Sequence, residues 1–269
     1  MTLSRTFQFR DGARIARLGY GAMRLTGQPG NFGPYANWQA GKALLRRAVE
    51  LGIDHIDTAR AYGPLDNERL ISDALGDRAD KVFVATKGGL EKTRDDGGMK
   101  VARNGGAAAL AHHIDESAGV LGTLPISLYY LHFPDPAVPI ETSVEAIEQA
   151  RAAGRVERIG VSNVTLAQLR AAQSVAAIDA VQNRFSLVSN ERSEGEEMIA
   201  ACAEDGIAFV PHGPLGANPT KQGAALPIEE AMAWLLELSS NVLLIPGTTS
   251  IKHLEENVAI FDELVGVPS

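Results

Sequence analysis

Short apolar runs alternate with amphipathic stretches along the chain. Ala43-Leu44-Leu45 and Ala48-Val49 form a stripe at helical spacing. Gly52 ends it, and Ile53-Asp54-His55-Ile56-Asp57 reads as a strand. The rhythm returns twice more. Val144, Ile147 and Ala150 precede Gly154 and the strand Ile159-Gly160-Val161, and Met198, Ile199 and Cys202 precede Gly206 and the strand Ile207-Ala208-Phe209-Val210. A glycine just past a helix accepts the left-handed conformation that turns the chain back toward a sheet. The same reading predicts strands at Arg17-Leu18-Gly19-Tyr20, Val82-Phe83-Val84-Ala85, residues 126–131, Ala180-Val181-Gln182 and Val242-Leu243-Leu244-Ile245. Each of the eight is expected to lead into a helical segment. At the start, Asp11-Gly12 separates Thr6-Phe7-Gln8-Phe9-Arg10 from Ala13-Arg14-Ile15-Ala16, which predicts a hairpin whose turn draws positive φ angles from the Asp-Gly pair.

Strand–helix alternation calls for parallel pairing, because the crossover helix must cover the sheet. Eight such units favour a closed (β/α)₈ TIM barrel of the α/β class, with the N-terminal β-hairpin closing its bottom, over an open doubly wound sheet. No Gly-x-Gly-x-x-Gly follows an early strand. No linker or composition shift divides the chain, so residues 1–269 are expected to form one domain.

Composition narrows the function classes. The chain has 269 residues, 45% hydrophobic, which supplies a sizeable core. A net charge of −8 without a basic run argues against nucleic acid or an anionic membrane as partner. Cys202 is the single cysteine, read as a buried core thiol. No signal-peptide core or bilayer-spanning run is apparent, so a cytoplasmic location is expected. His112-His113 has no accompanying ligand cluster, and no metal is expected.

Polar residues recur where the predicted strands finish: Asp57, Lys87, His132, Ser162 with Asn163, Gln182, His212, and Gly247-Thr248-Thr249-Ser250. In a barrel these C-terminal ends form a single mouth, where active sites are built. Tyr62 follows Asp57 by five residues, so a loop can carry its phenol over that mouth. A free tyrosine has a pKa of about 10; a nearby ammonium lowers it. Lys87 is the candidate cation, Asp57 its holder, and His132 a neutral donor to a carbonyl oxygen, making a proton donor beside a polarised carbonyl. Taken singly, Asp57–Lys87 also reads as a structural ion pair, Tyr62 as a packed aromatic and His132 as a buried histidine.

The series Gly19-Tyr20-Gly21-Ala22-Met23, His55-Ile56-Asp57-Thr58-Ala59 through Tyr62-Gly63, Ala85-Thr86-Lys87, Leu131-His132, Gly160-Val161-Ser162-Asn163, Val181-Gln182-Asn183, Pro214-Leu215-Gly216 and Ile245-Pro246-Gly247-Thr248 resembles the aldo-keto reductase family in order and over nearly the whole chain. The resemblance is to a compact bacterial-type version, in the branch that includes pyridoxal reductases. It implies a catalytic tetrad at Asp57, Tyr62, Lys87 and His132, with NADPH giving hydride to an aldehyde or ketone and Tyr62 protonating the oxygen. It further implies cofactor contacts at Gly21, Ala22, Met23 and Asp57, a carboxamide held by Ser162, Asn163 and Gln182, and a pyrophosphate beside Pro214, Leu215 and Gly216. Pro246, Gly247, Thr248, Thr249, Ser250, His253, Glu256 and Asn257 would surround the adenosine end, where a helix start suits a phosphate.

Three departures stand out. His212 occupies the position from which the family stacks an aromatic ring on the nicotinamide, so the alternative of an unrelated loop histidine stays open. Gly247 and His253 replace the Lys and Arg of many NADPH-using members, with Lys252 nearby as a compensating cation; NADPH is expected, with NADH as the alternative. Short connections at residues 217–227 and after the last helix predict an open site with relaxed or unusual substrate choice. Two other functions remain: an NAD(P)H-binding regulatory or sensor subunit with little turnover, and a lyase or isomerase using Lys87 as a Schiff-base amine. The substrate and favoured direction are not legible, and the oligomeric state is open, with a monomer as the working expectation.

Overall fold

The computed structural model describes residues 3–123, 125–186, 192–213 and 227–266. It opens with an antiparallel hairpin of β1 (Thr6–Gln8) and β2 (Arg14–Ala16). The turn uses one left-handed residue rather than the expected pair: Gly12, at φ 91°. The Phe9 N–H donates to Ala13 O at 2.9 Å and the Gly12 N–H to Phe9 O at 3.0 Å, a three-residue loop with a glycine bulge. Asp11 contributes its carboxylate, which accepts the Ala13 N–H at 2.9 Å.

The remaining strands are β3 (Tyr20–Gly21), β4 (His55–Asp57), β5 (Phe83–Gly88), β6 (Leu90–Asp95), β7 (Gly98–Arg103), β8 (Leu128–Leu131), β9 (Ile159–Ser162), β10 (Ala180–Arg184) and β11 (Ala208–His212). Seven form one parallel sheet, ordered β11-β10-β9-β8-β5-β4-β3. The eighth expected strand, at residues 242–245, is not a full strand. It closes the barrel through parallel bridges Phe209↔Val242 and Leu18↔Leu244, carried by N–H···O bonds of 2.8 Å from Leu243 to Phe209, Leu244 to Arg17 and Gly19 to Leu244.

Around the sheet lie α1 (Trp38–Glu50), α2 (Asp66–Leu75), α3 (Ala107–Leu121), α4 (Ile140–Ala152), α5 (Leu166–Gln173), α6 (Arg192–Glu204), α7 (Ile228–Leu238) and α8 (Ile251–Val265). Gly52, Gly154 and Gly206, expected to turn the chain after α1, α4 and α6, have φ of 86°, 71° and 65°. One expectation fails. A second antiparallel hairpin, β6–β7, stands between β5 and α3, so that strand does not lead directly into a helix.

Two apolar clusters divide the core. The larger fills the space between sheet and helices, with Leu44, Ile56, Ile71, Ile114, Ile147 and Phe261 among its members. The smaller lies inside the barrel, where Phe7, Phe9 and Ile15 of the hairpin meet Ala85, Tyr130, Ala180, Ala208 and Leu243. Phe9 stacks on Phe83 at 5.5 Å between ring centroids. The hairpin thus plugs the N-terminal end of the barrel, and small alanines leave room for its rings. Arg17 is buried beneath the closure and donates to Val242 O at 3.0 Å, Leu236 O at 2.9 Å, Ser239 O at 2.6 Å and Ser4 O at 3.3 Å. Burial pulls its pKa down to about 10. Cys202 is buried, and desolvation pushes its thiol up to about 12, the inert core thiol expected.

Candidate active site

With the bottom filled by aromatic rings, polar groups collect at the other end. Parallel register sets Asp57 beside Ala85 and Lys87 beside Tyr130, so the ends of β4, β5 and β8 adjoin. Lys87 is buried, and its Nζ has three acceptors: Asp57 Oδ1 at 2.8 Å, Asp57 Oδ2 at 2.7 Å and Thr58 O at 2.7 Å. Burial is the largest single influence and works against the ammonium, but the charges of and hydrogen bonds to Asp57 and Tyr62 together outweigh it and lift the Lys87 pKa above its ordinary value. An amine so surrounded has no lone pair to offer a carbonyl, which removes support for the Schiff-base reading. Gln182 Nε2 donates to Asp57 Oδ1 at 2.8 Å and completes the carboxylate's shell.

The Tyr62 ring lies 5.3 Å from Lys87 Nζ and 5.8 Å from the His132 ring, edge-on. Burial raises the Tyr62 pKa, and the Lys87 charge offsets this only in part. The sequence expectation of a lowered value is therefore corrected: desolvation of the phenolate exceeds the ammonium's attraction. His132 is buried, with its pKa well below ordinary through desolvation and then the Lys87, Lys92 and His212 charges, so it is neutral. Its Nδ1 has no partner among the described residues.

Asn163 has a left-handed φ of 59°, a conformation asparagine tolerates better than most residues. Its Nδ2 donates to His132 O at 3.0 Å and to Ser162 Oγ at 2.9 Å, and its Oδ1 faces His212 Nε2 at 3.1 Å. That assigns the proton to Nε2 of His212, whose pKa burial pulls down to about 4. His212 ends β11, and this contact ties it to Asn163 at the mouth.

Across the barrel, Gly21 and Gly247 touch: a Cβ on Gly21 would fall 2.6 Å from Ile245 O, and one on Gly247 2.6 Å from Gly21 O. Ala22 is buried and Met23 exposed. Pro246 is half-buried, while Gly247 and Thr249 are exposed. Thr248 and Asn257 are buried, and Thr248 O accepts from Tyr20 Oη at 2.6 Å. Ser250 caps α8, accepting the His253 N–H at 3.4 Å, and the first turn carries no acid. Lys252 is exposed and pairs with Glu256 at 3.6 Å. Pro214, Leu215, Gly216 and the loop expected to leave the site open lie outside the described residues. Among the described residues no metal-ligand cluster occurs and no helix is long and apolar enough to cross a membrane. His113 is buried, with Nδ1 accepting the Gly89 N–H at 3.2 Å.

Several supporting groups carry no signal in the sequence reading. Asn67 Oδ1 accepts from Thr58 Oγ1 at 2.7 Å, and its Nδ2 donates to Ala22 O at 2.9 Å and Leu25 O at 2.8 Å. Glu68 is wholly buried and accepts from Thr86 Oγ1 at 2.5 Å, behind Lys87. A polar pair opening an amphipathic helix reads as a solvated first turn, and only packing reveals its burial.

The profile of the Aldo/keto reductase family matches residues 17–226. A pyridoxine 4-dehydrogenase of Escherichia coli is 37% identical over 259 residues, covering 91% of this chain and 89% of that protein. An uncharacterized oxidoreductase of Schizosaccharomyces pombe is 34% identical over 255 residues, covering 91% and 81%. Among solved structures, a glycerol dehydrogenase of Gluconobacter oxydans superposes with a TM-score of 0.82 at 20% identity, covering 98% of this chain and 97% of that one. An aldo/keto reductase of Klebsiella pneumoniae, in complex with NADP and acetate, gives 0.77 at 23% identity, covering 97% and 90%.

Proposed function

The chain belongs to the aldo/keto reductase family, and on that footing we propose that it interconverts an aldehyde or ketone with its alcohol, using NADPH and Tyr62 as general acid or base. The observation that carries this reading is the convergence of Tyr62, Lys87, Asp57 and neutral His132 at one mouth. Burial keeps the Tyr62 hydroxyl protonated at neutral pH, so the proton is in place for a developing alkoxide. Lys87, fixed by Asp57 and Thr58, sets a positive charge beside that phenol and eases loss of its proton. His132, uncharged, offers a hydrogen bond to the same oxygen and orients the carbonyl.

The donor set suits a nicotinamide dinucleotide. Ser162 Oγ keeps its own proton to donate, and Asn163 Oδ1 has a second lone pair, which together match a primary carboxamide. The acid-free first turn of α8 suits a phosphate near Gly247, Thr248, Thr249 and Ser250. Bound there, the cofactor supplies or takes the hydride. His212, held by Asn163, offers a neutral ring as the wall beside that carboxamide. The relative named as a pyridoxine dehydrogenase makes a pyridine-ring aldehyde a substrate class to test first. The test follows nicotinamide absorbance with an aldehyde panel. We expect wild-type turnover and a loss on the order of 10²–10⁴-fold in kcat for Tyr62→Phe, with cofactor binding retained. Full turnover by Tyr62→Phe would overturn the assignment.

A further inference from the structure

The β6–β7 hairpin begins three residues after Lys87, and its base is tied by Asn104 N–H to Gly89 O at 3.0 Å. Its register pairs Leu90 with Arg103, Lys92 with Val101 and Arg94 with Met99, so these six share one face. The face carries three cations and no carboxylate. Both acids of the two strands lie on the other face, where Glu91 Oε1 accepts from Asn104 at 2.9 Å and Asp95 pairs with Lys100. In a chain of net charge −8 this segregation is a local reversal of sign.

The cationic face turns toward the mouth. Lys92 Nζ reaches Gly30 O at 3.4 Å, and the neighbouring Asn31 O accepts the Gly63 N–H at 3.0 Å, next to Tyr62. The Lys92 charge is also among those that lower the His132 pKa. The two arginines are engaged elsewhere: Arg94 lies 4.7 Å over the Phe32 ring, and Arg103 lies 5.2 Å over Phe133 while donating to Pro134 O at 3.2 Å. Lys92 is half-buried, has one long hydrogen bond and forms no ion pair among the described residues. Burial draws its pKa below the ordinary value. An ammonium partly stripped of water and left without a counter-charge gains from an anion brought to it.

We infer that Lys92 is a specificity-determining residue that receives an anionic group, a carboxylate or phosphate, on the carbonyl substrate. This rests on the reductase reading of the same site. The test compares 4-carboxybenzaldehyde with its methyl ester, which differ in charge. The ester's stronger electron withdrawal favours its reduction in wild type and variants alike, so a preference for the acid and its change on substitution report on charge recognition. Wild type is expected to favour the acid in kcat/KM. In Lys92→Met that acid-to-ester ratio falls by about ten-fold or more, expressed in KM rather than kcat, and Lys92→Arg restores it, since one charge-assisted bond is worth at least ~1.4 kcal/mol. A wild-type ratio near one, or an equal fall for both compounds in Lys92→Met, overturns the inference and makes Lys92 a scaffold residue. Turnover of other aldehydes of the panel without either of these two overturns this inference alone, whereas failure across the whole panel brings down the reductase reading, and this inference with it.

Discussion

Glu68 presents the sharpest conflict at the scale of a single residue. Its carboxyl is buried, Thr86 supplies a hydrogen bond to one oxygen, and the other has no partner among the described residues. Ser117 Oγ and Tyr129 Oη lie close by, also without partners among the described residues. Desolvation pushes the Glu68 pKa up to about 7 from 4.5, against the pull of Thr86, Ser117 and Arg60, while the Glu116 charge adds to the rise. The folded protein therefore binds this proton more tightly than the unfolded chain. Stability from the group is complete below pH 4.5 and is lost as pH rises to 7. The loss is on the order of 3 kcal/mol. Glu68→Gln keeps an acceptor for Thr86 and adds an uncharged donor for Tyr129 or Ser117. Urea midpoints should show the variant more stable than wild type at pH 8 and level with it at pH 4.5. A stability difference independent of pH would mean that Glu68 titrates at the same pH in the folded and unfolded chain, and that burial does not shift it.

Among elements, the loop bearing Tyr62 is held less by its own sequence than by the first turn of α2. Asn67 spans from Thr58 to the carbonyls of Ala22 and Leu25, and the Thr58 carbonyl is itself an acceptor for Lys87. Asn67→Ala strands two buried carbonyls, which costs roughly 2–3 kcal/mol. Because it also frees Thr58, kcat should fall about ten-fold while KM for the aldehyde changes less. Thermal unfolding and steady-state kinetics check both halves, and unchanged kcat would limit Asn67 to a structural tie. What could be read from the sequence follows the same division. The positions of Asp57, Lys87, His132 and Gln182 were legible because each ends, sits in or directly follows a strand framed by helical periodicity. The β6–β7 ribbon was not, because Lys92 and Arg94 share a face with Met99 and Val101 and give no clean polar–apolar alternation, although Asp96-Gly97 at its tip is a turn signal. Asn67 and Glu68 were illegible for another reason: burial of a polar first turn is decided by α3 and β5 packing over it.

For the whole molecule, closure of the barrel is its least redundant feature. Residues 242–244 join β11 on one side and the chain around Leu18 on the other by isolated bridges in place of extended ladders. Arg17 compensates from below by donating to carbonyls of residues 4, 236, 239 and 242, linking the N-terminal segment, the end of α7 and the closing segment. A methionine there would preserve bulk but leave those carbonyls without donors in a site closed to water. Charge-assisted bonds of this kind contribute about 1.5–3 kcal/mol each when one is removed, though not additively. Arg17→Met should therefore lower stability by about 3 kcal/mol or more, read as a lower denaturant midpoint. At temperatures where the variant remains folded, KM for the aldehyde should stay near the wild-type value, because the disturbance is at the end of the barrel opposite Tyr62. A midpoint unchanged from wild type would show that the bridges alone keep the barrel shut. A large change in KM would show instead that strain at the closure reaches Gly21 and Gly247, whose backbones meet directly above it.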